Sequence, residues 1–219
     1  MENTTPRRRG RPPRISRDRI VAVARAMDPA AITMQAVAEE LGVDRKALNY
    51  HVSDRDGLLE LVALDVLNTE VSEVPLPAGI DWRQATRVMA RHMRDGMVRT
   101  GALFEYVRVP ATGGLTIFAA TERYAEILLA AGFTEEQTGR ALAFLAEFVF
   151  SSARDAIMMA RRDGVHPQTA EIRRALDAAP ADRFRTMRRL MTDGYGPGEA
   201  QLDFDLKIFI TGLEQLLGH

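Results

Sequence analysis

Apolar side chains recur at intervals of three and four residues along most of the chain, a spacing that predicts amphipathic helices. The first helix is expected from Ser16 to Met27, with the Ser16 hydroxyl as its N-cap. A break at Asp28-Pro29 follows, and Thr33 can cap a second helix. The tight turn Gly42-Val43-Asp44 separates that helix from a third, short helix that is expected from Arg45 to His51.

Longer helices follow in the rest of the chain. Ser53 or Asp54 can cap a helix whose apolar residues run as far as Leu67, and the segment 75–79, rich in proline and glycine, then interrupts the pattern. Four further helices are expected, over Trp82–Arg99, Leu115–Ala131, Glu135–Arg162 and Leu202–Leu217, with one or two short helices between Thr169 and Met191. Because no segment alternates apolar and polar residues in the manner of a strand, we predict an all-α fold.

These patterns divide the chain into three parts. Residues 1–15 contain several prolines and arginines and are expected to form a flexible basic arm. Residues 16–74 form the first predicted domain, with the three short helices and the longer helix that follows them. Residues 80–219 form the second predicted domain, which is also helical.

The composition is that of an ordinary soluble protein with a buried core, since 46% of the 219 residues are hydrophobic and 27% are charged. Cysteine is absent, which excludes disulfide bonds, thiol catalysis and cysteine-ligated metals, and which fits the reducing cytoplasm where we expect the protein to work. No apolar run reaches the roughly 18 residues of a membrane span, and none follows the basic N-terminus. We therefore expect no signal peptide and no membrane partner.

Charge is unevenly distributed, although the net charge is only −1. Residues 1–55 hold eleven lysine and arginine residues against seven acidic residues, so the remainder of the chain is net acidic. A basic end on an acidic body indicates that this end meets a polyanion.

The segment Thr33–His51 has the pattern of a helix-turn-helix. Two short helices that cross steeply need a turn residue that can adopt a positive φ, and Gly42 supplies it. A small shared core is expected from Val37, Ala38, Leu41, Val43 and Leu48, which leaves Gln35, Arg45, Lys46, Ala47, Asn49 and Tyr50 facing outward. An ordinary helical corner with a solvated charged face would show the same pattern, and the basic arm favours DNA binding over it.

The residues between Ile32 and Leu59 resemble the signature of the tetracycline-repressor family. The matching motifs are Val37-Ala38, Leu41-Gly42-Val43, Leu48-Asn49-Tyr50-His51-Val52 and Arg55-Asp56-Gly57-Leu58-Leu59. In the second half, Trp82 after a proline-rich linker, Gly132-Phe133-Thr134 and Gly212-Leu213-Glu214 resemble the effector domain of the tetracycline-responsive branch. The resemblance implies an N-terminal three-helix helix-turn-helix domain and a C-terminal helical domain that binds an effector and dimerises.

The resemblance also implies which residues contact DNA. Gln35 and Arg45 occupy positions that read base edges in the family, where arginine suits guanine and glutamine suits adenine. The positions that contact phosphates or brace the recognition helix are Thr33, Lys46, Tyr50, His51 and Arg55, and Ala47 and Asn49 complete the predicted surface. Of these, His51 fits packing within the module better than a DNA contact. Asn49 departs from the family's usual tyrosine, and Asp28-Pro29-Ala30-Ala31 lacks the usual glycine after the first helix.

The arm contains Arg7-Arg8-Arg9-Gly10-Arg11-Pro12, whose Arg-Gly-Arg-Pro core resembles an AT-hook. In an AT-hook, Arg9 and Arg11 would enter the narrow minor groove of an A·T tract. The alternative is a disordered polycation that attracts phosphates without sequence preference, and we favour that interpretation.

Two helices of the second half carry candidate dimer seams. Apolar residues at alternating spacings of four and three are typical of helix pairing, and they include Leu142, Leu145, Val149, Leu206 and Leu213. Two such helices from each subunit would make a four-helix interface, and the resemblance implies a homodimer because a two-fold operator requires one. The alternative is that both seams face the subunit's own core.

Methionine and aromatic side chains on the other helical faces are candidates for a small-molecule effector pocket, although such stripes usually form core. The candidates are Met89, His92, Met93, Met97, Phe104, Phe118, Phe144, Phe148 and Ser151, with His92 and Ser151 as polar anchors. They suit a flat, largely apolar ligand. No histidine–carboxylate cluster is evident, so we predict neither tetracycline nor a metal, and no cofactor is expected.

The expected function is a ligand-responsive regulator, most simply a repressor that a small effector releases from a palindromic DNA operator. One alternative is an architectural DNA-binding protein without an effector. Another is a helical enzyme, for which the sequence offers no nucleophile elbow, phosphate loop or metal-ligand spacing. Whether the regulator represses or activates depends on where its operator lies relative to the promoter.

Overall fold

The computed structural model describes residues 15–71, 74–108, 115–162, 164–192 and 198–218. Over these residues the chain is all-helical, as predicted, and contains no strand. The α-helices are α1 (Arg17–Arg25), α2 (Met34–Leu41), α3 (Arg45–Leu48), α4 (Arg55–Val71), α5 (Trp82–Thr100), α6 (Leu115–Ala130), α7 (Glu135–Ala160), α8 (Pro167–Ala178), α9 (Arg185–Thr192) and α10 (Glu199–Leu216). Two short 3₁₀ helices, Pro29–Ala31 and Gly101–Tyr106, lie between α1 and α2 and directly after α5. Within the described ranges, none of the helices is long and apolar enough to cross a membrane.

The first helices are delimited by caps that the sequence predicts. The Ser16 hydroxyl accepts a hydrogen bond from the backbone N–H of Arg19 at 3.3 Å and so caps α1. At the predicted break, the Asp28 carboxylate accepts the N–H of Ala30 at 2.8 Å, and Pro29 opens a 3₁₀ helix. Ile20 is completely buried on α1, where that helix packs against α2 and α4.

Helix α4 is shared between the N-terminal helices and the rest of the chain. On one side, Arg25 of α1 donates to Asp65 and to Thr69 of α4, each at 3.0 Å. On the other side, α4 packs against α5, α6 and the second 3₁₀ helix. Helix α5 comes very close at Gly96, where a Cβ atom would lie 2.8 Å from Cγ1 of Val71. Because close-packed elements transmit displacement, a shift of α4 reaches both halves of the chain.

Helices α5, α6 and α7 form the centre of the second half. The ring of Trp82, the first residue of α5, packs edge-on against Phe133, with centroids 5.1 Å apart. Thr86 of α5 and Tyr124 of α6 share a buried hydrogen bond of 2.7 Å. Thr134 caps α7 in a capping box, in which the Thr134 hydroxyl accepts the N–H of Gln137 at 3.2 Å and the Gln137 side-chain oxygen accepts the N–H of Thr134 at 2.9 Å. Both aromatic and polar contacts therefore fix these helices.

Several predicted boundaries are wrong by part of a turn or more. Helix α3 ends at Leu48 rather than His51, and residues 49–51 form a turn. Helix α10 begins at Glu199 rather than Leu202, and α8 begins at Pro167, two residues before the segment 169–191 in which one or two short helices are expected. Apolar periodicity marks only the part of a helix that packs, whereas polar first turns are held by caps and ion pairs that it does not reveal.

Candidate DNA-binding surface and effector domain

The turn between α2 and α3 has the geometry that the sequence predicts. Gly42 has φ of 66° and ψ of 40°, the left-handed conformation that glycine adopts without steric cost. The N–H of Gly42 donates to the carbonyl of Glu39, and the N–H of Val43 donates to the carbonyl of Ala38, both at 3.0 Å. This pair of bonds is a Schellman motif, which ends α2 sharply and turns the chain into α3.

Both helices of the motif are capped and share the predicted core. The Thr33 hydroxyl accepts the N–H of Ala36 at 3.0 Å, and the Asp44 carboxylate accepts the N–H of Lys46 at 2.7 Å. Val37 and Leu48 are completely buried between the helices. The remaining predicted core residues are buried at Ala38 and Leu41 and half-buried at Val43.

Polar and basic side chains cover the outward face of the motif. Gln35, Arg45, Lys46, Asn49 and Tyr50 are all exposed, as predicted, whereas Ala47 is half-buried. Tyr50 is 90% exposed, so its ring and hydroxyl are accessible from solvent. The Gln35 amide donates to the Glu39 carboxylate at 2.7 Å, so its orientation is fixed from within α2.

Two arginines brace the motif from outside. Arg55, in the first turn of α4, donates from Nε to the carbonyl of Ile32 at 3.0 Å. Arg17, at the start of α1, donates from Nε to the carbonyl of His51 at 3.2 Å. His51 itself is half-buried, consistent with packing inside the module. Arg17 is absent from the predicted site, because a partner 34 residues away leaves no local signal in the sequence. The two predicted arm residues, Arg9 and Arg11, lie outside the described part of the chain.

The predicted effector residues lie in three different environments. Met89, Met97 and Phe104 are buried in the core. His92, Met93, Phe148 and Ser151 are half-buried, and the Nε2 atom of His92 is buried without a hydrogen-bond partner among the described residues. Phe118 and Phe144 are 49% and 54% exposed, so these two candidates lie at the surface, apart from the buried ones. Phe144 instead stacks on Phe209 of α10, with ring centroids 4.9 Å apart.

A buried polar atom of Asn68 and a buried charge at Arg94 are not among the predicted site residues. The side-chain oxygen of Asn68, on α4, is buried without a hydrogen-bond partner in the described residues, like Nε2 of His92. Arg94 of α5 is only 7% exposed. Its position in the apolar stripe of α5, between Ala90 and Met97, is the one signal by which the sequence could have shown it.

The predicted dimer seam also needs correction. Leu145, Val149, Leu206 and Leu213 are all at least 95% buried inside the chain itself, and Leu142 is half-buried against the same core. Spacings of four and three therefore mark the intramolecular face of α7 and α10. The exposed apolar side chains of these helices are Phe144, Phe150, Phe204, Ile208 and Leu216. A surface groove between α7 and α10 is lined by Ala141, Phe144, Ile208, Phe209, Gly212 and Leu216, among others.

Known proteins resemble this chain over nearly its whole length. A family model described as "Tetracyclin repressor-like, C-terminal domain" matches residues 74–217. The HTH-type transcriptional repressor DrrR1 of Streptomyces coeruleorubidus is 25% identical over 219 aligned positions, gaps included, which cover 95% of this chain and 81% of that protein.

Solved structures give the same result. The TetR family protein ActR of Streptomyces coelicolor, in complex with actinorhodin, has a TM-score of 0.74 and 27% identity over 94% of this chain and 99% of that chain. Apo ActR has a TM-score of 0.74 and 28% identity with the same coverage. Since the family model covers well over half of the residues, the chain belongs to the tetracycline-repressor family of dimeric, ligand-responsive, DNA-binding transcription regulators.

Proposed function

We propose that this chain is a repressor that binds a two-fold DNA operator as a dimer and leaves it when a small effector binds. The exposed surface of α2 and α3, with its fixed turn and its basic and aromatic side chains, is the observation that carries the proposal. The family consists of transcription regulators rather than enzymes. Because an operator lies in the cytoplasm, we place the protein there.

The DNA contacts follow from the position of each side chain on this surface. Arg45 is the first residue of α3, and the N-terminal residues of a recognition helix reach base edges in the major groove. We infer that Arg45 and Gln35 read bases and that Lys46 and Tyr50 contact phosphates. Arg55 already donates one N–H to Ile32, so its remaining N–H groups are the ones left for a phosphate.

A small-molecule effector is favoured over an architectural role without an effector. ActR, which shares the fold over 94% of this chain, has been solved in complex with actinorhodin. In this chain, His92 and Asn68 each bury a polar atom without a partner in the described residues. Buried polar atoms are normally satisfied by protein, water or a ligand, so these two atoms are available to a ligand's polar groups. We infer a largely apolar effector that contacts α4 and α5.

Helix α4 provides the mechanical connection between the two functions. It is bonded to α1 through Arg25 and packed on α5 at Gly96. The two recognition helices of a dimer must enter major grooves about 34 Å apart, so a modest displacement of α4 misplaces both. Binding of the effector then weakens binding of the operator, and binding of the operator weakens binding of the effector, by the same coupling free energy, typically about 1–3 kcal/mol.

Selection from a random duplex library followed by fluorescence anisotropy would test DNA recognition. We expect a palindromic site, and Arg45→Ala should cost about 1–3 kcal/mol with relaxed preference at one position in each half-site. Lys46→Ala should lower the affinity for all DNA sequences by the same factor and reduce the salt dependence of binding. Arg87→Ala, which removes an exposed arginine from α5, is the matched control and should change neither.

The possible outcomes separate the alternatives. Failure to enrich any palindrome would contradict the operator proposal. A uniform loss across sequences in Arg45→Ala would reassign that side chain to phosphate contact. Operator binding that no small molecule weakens would favour the architectural alternative.

A further inference from the structure

Arg94 is the only charged residue that is buried in the described part of the chain, with 7% of its surface exposed. It lies on α5, and Ala90 and Met97, one turn before and one turn after it, are buried apolar residues. Charged side chains are almost never buried unless a partner compensates them. The partners of Arg94 therefore indicate what this position is built to hold.

The guanidinium is only partly satisfied by the protein. Its Nε donates to Ser152 Oγ at 3.0 Å, and its Nη1 donates to Glu199 at 2.7 Å and to Asp95 at 3.5 Å. Nη2 donates no hydrogen bond to any residue that the structure describes. Glu199 thus meets the guanidinium at a single nitrogen, whereas a free carboxylate can bind Nη1 and Nη2 together in the bidentate geometry that arginine favours.

Glu199 is a partner that can be exchanged. Its side chain is 65% exposed, in the first turn of α10, where the helix dipole also stabilises its charge. It lies 3.5 Å from Arg91 as well, so it keeps a cationic neighbour when it leaves Arg94. If a ligand displaced Glu199, the ligand's carboxylate would pair with Arg94, and the Glu199 carboxylate would still pair with Arg91.

We propose that the effector carries a carboxylate, and that Arg94 binds this group in place of Glu199. The inference rests on the proposed function, because it specifies the chemistry of an effector whose apolar body contacts the same helix. Since Glu199 belongs to α10 and Arg94 to α5, the exchange removes one of the contacts between the first turn of α10 and α5, while the contact of Glu199 with Arg91 remains. Arg94 therefore selects acidic ligands over neutral ligands of the same shape.

Calorimetric titration with 2-naphthoate and with its neutral isostere 2-naphthamide, at neutral pH, tests the proposal. We expect 2-naphthoate to bind the wild-type protein at least about tenfold more tightly than 2-naphthamide, as charge-assisted hydrogen bonds require. Arg94→Gln should abolish this preference. The matched control Arg87→Gln, an exposed arginine on the same helix, should retain it.

A second variant keeps the test decisive if Arg94→Gln does not fold. Glu199→Gln changes an exposed side chain and removes the internal competitor, so it should tighten 2-naphthoate several-fold and leave 2-naphthamide unchanged. Equal binding of the two compounds to the wild type, no binding of 2-naphthoate, or no effect of Glu199→Gln would each overturn the inference. Operator binding is measured separately. If the protein binds its operator but shows no preference for 2-naphthoate, only the proposal of a carboxylate on the effector is contradicted.

Discussion

The Nε atom of Arg55 donates a hydrogen bond of 3.0 Å to the carbonyl oxygen of Ile32. This bond ties the first turn of α4 to the residue that precedes the Thr33 cap of α2, so the helix that connects the two halves of the chain holds the DNA-reading motif directly. Arg55 consequently has a structural role beside its proposed contact with phosphate.

Arg55→Ala should therefore destabilise the protein as well as weaken DNA binding. Loss of the bond to Ile32 leaves a carbonyl without its donor, and we expect the free energy of unfolding in urea to fall by about 1 kcal/mol. Lys46→Ala is the comparison, because its exposed side chain should change stability by no more than about 0.5 kcal/mol while DNA affinity falls. Unchanged stability in Arg55→Ala would show that the bond to Ile32 is dispensable.

Gly42 and Gly139 provide a test of the turn that does not involve packing. A Cβ atom at either position would meet nothing within 4 Å, but Gly42 has φ of 66° and Gly139 lies within α7. Gly42→Ala should cost about 1 kcal/mol because alanine is strained in the left-handed region. Gly139→Ala should instead stabilise by about 0.5–1 kcal/mol, since alanine favours the helix. Thermal unfolding of the two variants would contradict this explanation if their shifts had the same sign.

Local chemistry explains which features the sequence could predict. Ser16 and Thr33 cap helices and Gly42 forms a turn through hydrogen bonds to residues a few positions away, so the neighbouring sequence alone predicts their roles. The sequence predicts the core of the helix-turn-helix for the same reason, because its two helices are adjacent in the chain.

Long-range packing explains what the sequence could not predict. Leu206 and Leu213 have the spacing of a dimer seam, but the same spacing serves a helix that packs within its own subunit, which is what they do. The exposure of Phe144 depends on whether α10 covers it, and no local pattern encodes that. The position of Arg94 in the apolar stripe of α5 indicates an inward side chain, but its partners Ser152 and Glu199 lie 58 and 105 residues away and leave no local signal.

The burial of the Tyr124 hydroxyl beside Thr86 predicts a loss of stability at high pH. Thr86 donates its single hydroxyl proton to the carbonyl of Trp82 at 2.8 Å, so Tyr124 is the donor in the 2.7 Å bond between the two hydroxyls. Burial raises the pKa of Tyr124 from 10.0 to about 12. A raised folded-state pKa stabilises the protein fully below pH 10, and this contribution is lost as the pH rises towards 12.

Tyr124→Phe isolates this contribution because phenylalanine does not titrate. In urea unfolding on either side of pH 10, the wild type should lose about 2–3 kcal/mol relative to the variant, most of it by pH 12. Other groups that titrate in this range are common to both proteins and cancel in the difference. A constant difference between the two proteins across this range would contradict the burial of an unionised Tyr124.

We expect the dimer to form through the exposed faces of α7 and α10. The faces of α7 and α10 that pack inward hold Leu206 and Leu213, so aspartate at those positions would unfold the subunit and say little about association. Ile208 is 57% exposed in the groove between α7 and α10, whose lining is mostly apolar, and we expect this surface to be covered in the dimer. Ile208→Glu places a charge in that surface without disturbing the core, and burying an unpaired charge costs several kcal/mol, so light scattering should show a folded monomer.

Lys207→Glu is the matched control. Lys207 is exposed, and it lies one helical turn after Asp203, whose ion pair with Arg91 marks the side of α10 that faces α5. That control should remain a dimer with unchanged helicity. If the Ile208→Glu variant remained a dimer, the interface would have to lie outside this groove.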